Sequence, residues 1–284
     1  MQPEVHAAVK RLEPWWFRFE LNGEAFGGQA QRDVEKVSTF FEWVGRCGGK
    51  MGTILELGSH EGSHSLQLAE RPEIVRVVGL EGRDDNLARA RLVQRAYGAT
   101  NVEFRRCDLE HFDPVAHGSF DAIFCAGLLY HLPEPWKLLA QLGDIGRFLF
   151  LDTHYSASDE VAVGRYRGRW YAEGVDALSG LSERAFWLTF KHLTMQLLET
   201  GFVVRFVRDF EYTINGPRVW ILAERTTETG SVWPSQELEL RRPTCVESDG
   251  GVDQKPGETH VGDRSSGFIS LLRRRLRERG TSGS

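Results

Sequence analysis

The chain has 284 residues, 41% of them hydrophobic and 26% charged, with a formal net charge of −5. These proportions suit a globular protein with one well-developed core, and the acidic balance argues against nucleic acid as the main partner, because phosphate binding needs a concentrated positive field. No stretch approaches the roughly 18 apolar residues of a membrane span and no charged-then-apolar leader pattern opens the chain, so a cytoplasmic protein is expected. Cys47, Cys107, Cys125 and Cys245 are scattered without a close pair, which indicates neither a disulfide framework nor a zinc site.

Glu4 to Leu12 reads as a short helix that stops near Pro14. Trp15 to Leu21 then alternates like a strand up to a turn at Asn22-Gly23. Its aromatics have two open readings: they cover one edge of the core, or they lie over a ligand cleft as a lid. From Gln31 to Arg46, Val34, Val37, Phe40, Phe41 and Val44 recur at a helical period, and Gly48-Gly49 ends that helix. Residues 1–50 are thus expected to be an extension ahead of the main domain at 51–225.

Three strand–helix units are expected next, at 52–70, 74–97 and 102–118. Ile54-Leu55-Glu56-Leu57 reads as a buried strand, and Gly58-Ser59-His60-Glu61-Gly62 as a turn opening onto a helix at His64–Glu70. Such a turn sets backbone N–H groups at the carboxyl edge of a sheet, where open α/β folds bind nucleotide-like ligands. A second strand, Ile74 to Leu80, ends in Glu81, an acid placed to accept hydrogen bonds from ribose hydroxyls. A helix over Asp84–Tyr97 follows. Strands at Val102–Arg106 and Phe120–Cys125 end in Cys107-Asp108-Leu109 and in Ala126-Gly127-Leu128-Leu129-Tyr130-His131-Leu132. Pro133-Glu134-Pro135 opens another helix, and a fifth strand, Arg147 to Asp152, runs into Thr153-His154-Tyr155. Strands separated by helices in this way give a parallel sheet with right-handed crossovers.

Residues 156–186 are rich in Gly, Arg and aromatics, without clear periodicity, and are read as a functional insertion. A helix at Thr189–Thr200 and two strands, Phe202–Phe210 and Arg218–Glu224, close the domain. Past about residue 226 the composition becomes that of a flexible tail, 226–284, carrying a basic amphipathic helix at 267–279. That helix could touch an acidic membrane surface or a partner, dock on its own domain, or stay in solvent.

The series Glu-Leu-Gly-x-x-x-Gly, Glu81, Asp108, then Phe120-Asp121-Ala122-Ile123 with Leu129-Tyr130-His131, resembles the class I S-adenosylmethionine (SAM) dependent methyltransferases. Within them it is similar to the branch of the bacterial tRNA wobble-uridine methyl/carboxymethyl transferases. The resemblance implies a Rossmann-like α/β fold: a seven-stranded, mostly parallel sheet with helices on both faces, an antiparallel last strand, and a cap insertion (156–187) before the final helix and hairpin. It implies SAM as cofactor and S-adenosylhomocysteine (SAH) as product. Gly58, Ser59, His60 and Gly62 would approach the ligand, Glu56 would organise the loop and the methionine amino group, and Glu81 with Gly82 would hold the ribose. Asp108 and Leu109 would meet the adenine, with Cys125, Ala126 and Gly127 behind the sulfonium. His60 stands where the usual pattern has a glycine, so the loop must route differently or offer a side chain.

In-line methyl transfer to a hydroxyl needs a group to take its proton. His131 is the first candidate base and His154 its rival, with Tyr130 to orient the acceptor; each is also readable as packing. A metal set of Asp152, His154 and His131 lacks any defining spacing, and none is expected. Arginine forks suit anions and aromatic faces suit rings, so Arg165, Arg167, Trp170, Trp187 and Phe190 are candidates to cap the cleft and select the acceptor. The bland alternative is solvated charges over buried aromatics. The expected function is methylation of an oxygen or nitrogen of a small-molecule acceptor, anionic or aromatic. A tRNA-modifying transferase and a non-catalytic SAM-binding or assembly subunit remain as alternatives. The branch using carboxylated SAM has a lysine-bearing segment ahead of the first strand; no convincing match is visible, so ordinary SAM is the expected donor. A nicotinamide dehydrogenase fits poorly, since no Gly-x-Gly-x-x-Gly is present. The sequence does not indicate an oligomeric state.

Overall fold

The computed structural model describes residues 3–21, 23–28, 34–210, 213 and 215–226, so the expected tail and its basic helix lie outside the described residues. The order of elements is α1 (Pro3–Arg11), β1 (Phe19–Leu21), β2 (Glu24–Phe26), α2 (Val34–Arg46), β3 (Thr53–Leu57), α3 (Ser63–Ala69), β4 (Arg76–Glu81), α4 (Asp84–Tyr97) and β5 (Val102–Arg106). Then come β6 (Phe120–Ala126), α5 (Pro135–Leu142), β7 (Gly146–His154), β8 (Val161–Val163), β9 (Tyr166–Ala172), β10 (Arg184–Leu188), α6 (Phe190–Glu199), β11 (Phe202–Phe210) and β12 (Arg218–Arg225).

β3 is buried without a break from Ile54 to Leu57, Glu56 included, because it is covered on both faces, as parallel strands are. The seven-stranded sheet has the order β11-β12-β7-β6-β3-β4-β5. β3 pairs in parallel with β4 and β6, β4 with β5, and β6 with β7. β12, the last strand, is inserted antiparallel between β7 and β11. This is the expected fold class. Side chains alternate between two cores. Leu55, Leu57, Ile123, Cys125, Leu149 and Leu151 pack with α5 and α6, whereas Ile54, Ala122, Phe124, Ala126, Phe148 and Phe150 pack with α2, α3 and α4.

Two expectations need correction. The third unit has no α-helix: after β5 the chain makes only single 3-10 turns at Leu109–His111 and Pro114–Ala116, each capped by an aspartate, Asp108 and Asp113. The insertion is not irregular either. β8, β9 and β10 form an antiparallel sheet of their own. A tight turn at Gly164 (φ 55°) joins the first two strands. Gly168 lets the next pair close, since a Cβ there would lie 2.0 Å from the Trp187 carbonyl oxygen. Tyr166 stacks on Trp136 of α5 at 4.4 Å, which seats this small sheet on the domain.

The N-terminal segment splits its aromatics. Trp15 is buried with Val9, Leu21, Phe26, Leu92 and Val93, joining α1 and the β1–β2 hairpin to α4. Trp16 and Phe17 turn the other way, held by Glu61, whose carboxylate accepts from both backbone N–H groups at 3.0–3.1 Å.

Candidate active site

The carboxyl ends of β3, β4, β5 and β6 open into a cavity of about 370 Å³, lined at one end by Gly58, Ser59, His60, Glu81, Asp108 and Leu109 and at the other by Ala126, Gly127, Tyr130 and His131. The turn after β3 is hung from the neighbouring strand. The N–H groups of Gly58 and Ser59 both donate to the Leu80 carbonyl at 2.9 Å, and that of His60 donates to Glu81 at 2.8 Å. Gly58 (φ 74°) passes so close to Leu128 that an added Cβ would come within 3.1 Å of its side chain. His60 lies in the left-handed region that favours glycine, with φ 51°, and its ring lines the cavity.

Glu81 is buried: Oε2 accepts from the His60 N–H, and Oε1 accepts from the Arg83 N–H at 2.7 Å and from the Asn86 side-chain amide at 3.5 Å. A carboxylate has about four acceptor positions, so one, on Oε2, remains for a ligand hydroxyl. Ser59 Oγ and His60 Nδ1 are buried without a partner among the described residues. Orphaned polar groups beside a glycine turn and a carboxylate with acceptor capacity left fit a nucleoside carrying an amino-acid tail. Glu56 lies beneath the loop, fully buried, accepting from Ser65 and 3.4 Å from His64 Nδ1. Asp108 lines the cavity rim while binding His111 at 2.8 Å.

Several candidates are not where they were expected. Cys125 is completely buried in the core on the α5 side, where burial pushes its thiol up to about 12; only Ala126 and Gly127 reach the cavity. His154 is enclosed: its ring stacks on Trp187 at 4.8 Å, and its nitrogens face the Pro217 carbonyl (3.1 Å) and Arg218 (3.3 Å). Trp187 lies between His154 and Tyr171, donating from Nε1 to the Tyr130 carbonyl, and so braces the wall without lining it. Arg165 pairs with Glu199 of α6 and Arg167 is exposed on the outer face of β9, so neither reaches the cleft. Trp170 packs on Phe186 and Phe190 on Tyr155. Asp152 and His154 are joined by the guanidinium of Arg218, which fills the space a shared metal would need.

Both stretches expected to cover a cleft reach this cavity, together with residues not singled out in the sequence. Residues 177–181 of the insertion cover the end lined by Glu81 and Asp108, and Trp16 and Phe17 lie beside His60, as the lid reading expects, with Phe17 edge-on to that ring at 5.6 Å. Lys36 of α2 and Arg218 of β12 approach Tyr130, both paired with Asp152. His131 points Nδ1 at Glu173, 2.9 Å away.

Comparison with known proteins decides the family. The family model described as a methyltransferase domain matches residues 54–147. The crystal structure of the N-terminal domain of EvdMO1 in the presence of SAH and D-fucose is similar with a TM-score of 0.69 and 34% identity, over 79% of this chain and 97% of that one. The chain belongs to the class I SAM-dependent methyltransferase superfamily. Among curated members of the superfamily, the tRNA U34 carboxymethyltransferase of Campylobacter curvus is 30% identical over 115 residues, 37% of this chain and 38% of that protein's length. A ubiquinone biosynthesis O-methyltransferase of Leptothrix cholodnii is 24% identical over 187 residues, 64% of this chain and 78% of that protein.

The methyltransferase has a pH signature. Burial pushes both His60 and His154 from an ordinary 6.5 down to about 4. Both stay neutral in the folded state and gain protons on unfolding, so their stabilisation is complete above 6.5 and is lost as pH falls toward 4. Melting experiments across that window should show stability falling, and His154→Gln should lower the slope by at most about 1.4 kcal/mol per pH unit. An unchanged slope would mean that His154 is already charged in the fold.

Proposed function

We propose that this methyltransferase uses SAM to methylate a hydroxyl of a small polyol, a sugar in particular. The observation that carries the reading is that one cavity joins the Glu81 and Gly58 end, suited to an adenosyl group, to the ring of His131. SAM supplies an activated methyl group on a sulfonium. Glu81 orders the turn and offers its remaining acceptor position, on Oε2, to the ribose, while Ala126 and Gly127 form the wall at the transfer end. There His131 Nε2 takes the proton of the acceptor oxygen as that oxygen gains the methyl carbon. The similar EvdMO1 domain has a crystal structure in the presence of both SAH and D-fucose, and the transfer end here has the lining a sugar uses: aromatic faces beside charged donors. Incubating the full chain with SAM and D-fucose, other free and nucleotide-linked sugars, and tRNA tests the acceptor, with SAH formation as readout. Turnover with tRNA and with no sugar would defeat the sugar reading.

One observation favours a second reading, transfer from a carboxylated SAM to a tRNA wobble uridine. Lys36, on α2 ahead of β3, and Arg218 bring two cations to the transfer end against one buried carboxylate, Asp152. Calorimetry with SAM and with its carboxylated analogue separates the two, since a donor carboxylate seated on this pair should favour the analogue.

The donor site itself is tested by Glu81→Ala. The change removes the acceptor of two backbone N–H bonds, each worth about 1.5–3 kcal/mol to a charged group, so SAH affinity should fall about 100-fold. Unaltered SAH affinity would refute the site.

A further inference from the structure

The loop 173–183, which joins β9 to β10, touches both ends of the cavity. At the nucleoside end Arg83 donates to the carbonyls of Ser179 (2.6 Å) and Gly180 (3.0 Å). Leu181 lies where a Cβ on Gly82 would meet it at 2.9 Å. At the transfer end Glu173, whose side chain is 2% exposed, uses one oxygen twice. Its Oε2 accepts the Gly180 N–H at 2.7 Å and faces His131 Nδ1 at 2.9 Å. The other oxygen is buried without a partner among the described residues. A carboxylate serving only to fasten a loop would have both oxygens satisfied.

We propose that Glu173 is a positioning residue that couples closure of this loop over the donor to the orientation of the His131 ring, so that the base is set only when the donor site is filled. The proposal rests on the reading of His131 as base and of the Glu81 end as donor site. An ionised carboxylate only accepts, so it fixes the proton on Nδ1 and leaves the lone pair on Nε2. None of the described residues bonds Nε2, and the ring lines the cavity. When Nε2 takes up a proton, the buried carboxylate stabilises the resulting cation. The coupling is short: Gly180 packs on the base's own backbone, where a Cβ would come within 2.6 Å of the His131 carbonyl oxygen. The loop's further side-chain ties are Ser182 to Glu110 at 2.8 Å and His60 Nε2 to the Ala177 carbonyl at 3.3 Å, while Val175 is fully exposed and Leu178 39% exposed, so opening breaks a few polar contacts and leaves the domain core intact.

The test uses the full chain with labelled histidine nitrogens and SAH as the probe. In the wild type, saturating SAH should slow amide exchange over residues 174–182 about tenfold or more, and the His131 nitrogen spectrum should show the Nδ1–H tautomer. In Glu173→Gln the amide oxygen can take the shared position and keep both contacts, whereas Glu173→Ala removes the acceptor of both. The glutamine variant should therefore keep the loop protection, the Nδ1–H signature and SAH affinity within about twofold, while the alanine variant should lose the loop protection and the Nδ1–H signature together. Gly180→Ala is a second, independent variant: it should reduce the loop protection and the Nδ1–H signature together. SAH binding without loop protection in the wild type, or a His131 spectrum identical in wild type and Glu173→Ala, would overturn the coupling alone. Failure of the wild type to bind SAH would remove the donor reading and the coupling with it.

Discussion

His131→Gln is expected to lower kcat about 100- to 10,000-fold, the range over which a positioned general base contributes, while SAH affinity stays within about twofold. The expectation follows from how the ring is held. His131 sits in a 3-10 turn, Leu129–His131, just past β6, and that turn is fastened to neighbouring elements. The N–H of Phe186 donates to the Leu132 carbonyl at 2.9 Å, the Trp187 indole donates to the Tyr130 carbonyl at 2.9 Å, and the Gly127 N–H donates to the Asp152 carbonyl at 2.9 Å. With the backbone fixed on three sides and Nδ1 on Glu173, the ring has little freedom left. Burial pushes the neighbouring Tyr130 hydroxyl up, which keeps it a neutral donor and no rival as base. Glutamine matches much of the volume but cannot carry the proton. Initial rates and SAH calorimetry on the two proteins decide it: a fall in kcat of less than about fivefold would reduce His131 to a packing residue.

What could be read in the sequence was what short-range pattern encodes. The run Ile54–Leu57 leads directly into the glycine turn, Glu81 ends the next strand, and the structure puts all three on one rim. Strand parity separates two of the expected wall residues: successive residues of a strand face opposite sides, so Cys125 and Ala126 cannot both wall the same cavity. The insertion also carried its signal. Exposed Arg167 and Arg169 alternate with inward Tyr166, Gly168 and Trp170, which is a strand pattern with one face packed. The expectation of irregularity then misdirected the choice of acceptor residues, because the outward face holds the arginines and the loop beyond β9 holds the cavity contacts. The remaining site residues depend on distant pairing. Lys36 on α2, Asp152 on β7 and Arg218 on β12 meet only because β12 is inserted beside β7 with Trp220 opposite Asp152 and Arg218 opposite His154. No local pattern contains that register.

The same triad carries the largest expected effect on stability. Asp152 is fully buried, accepting from Arg218 Nε at 2.5 Å and Nη2 at 2.6 Å, with Lys36 Nζ 3.0 Å away. Burial alone would raise its carboxyl, but Arg218 and then Lys36 outweigh that and hold it below the ordinary 3.8. Its contribution is therefore present above 3.8 and is lost as pH falls through the lower folded value. Asp152→Ala leaves two largely buried cations facing each other, and breaking a buried pair in this way costs about 3–5 kcal/mol, or roughly 10 °C in melting temperature for a domain of this size. Replacing all three together, Lys36→Met, Asp152→Leu and Arg218→Met, removes the charges as a set and should restore most of that loss, because a buried ion network and its apolar substitute are often close in stability. The triple variant should nonetheless turn over poorly, since the transfer end of the cavity would have lost the cations beside Tyr130. Calorimetric melting of the single and triple variants, followed by SAH titration and rate measurement, separates the two roles. If the triple variant is both stable and fully active, the triad is scaffolding, and acceptor recognition must come from Trp16, Phe17 and Tyr130.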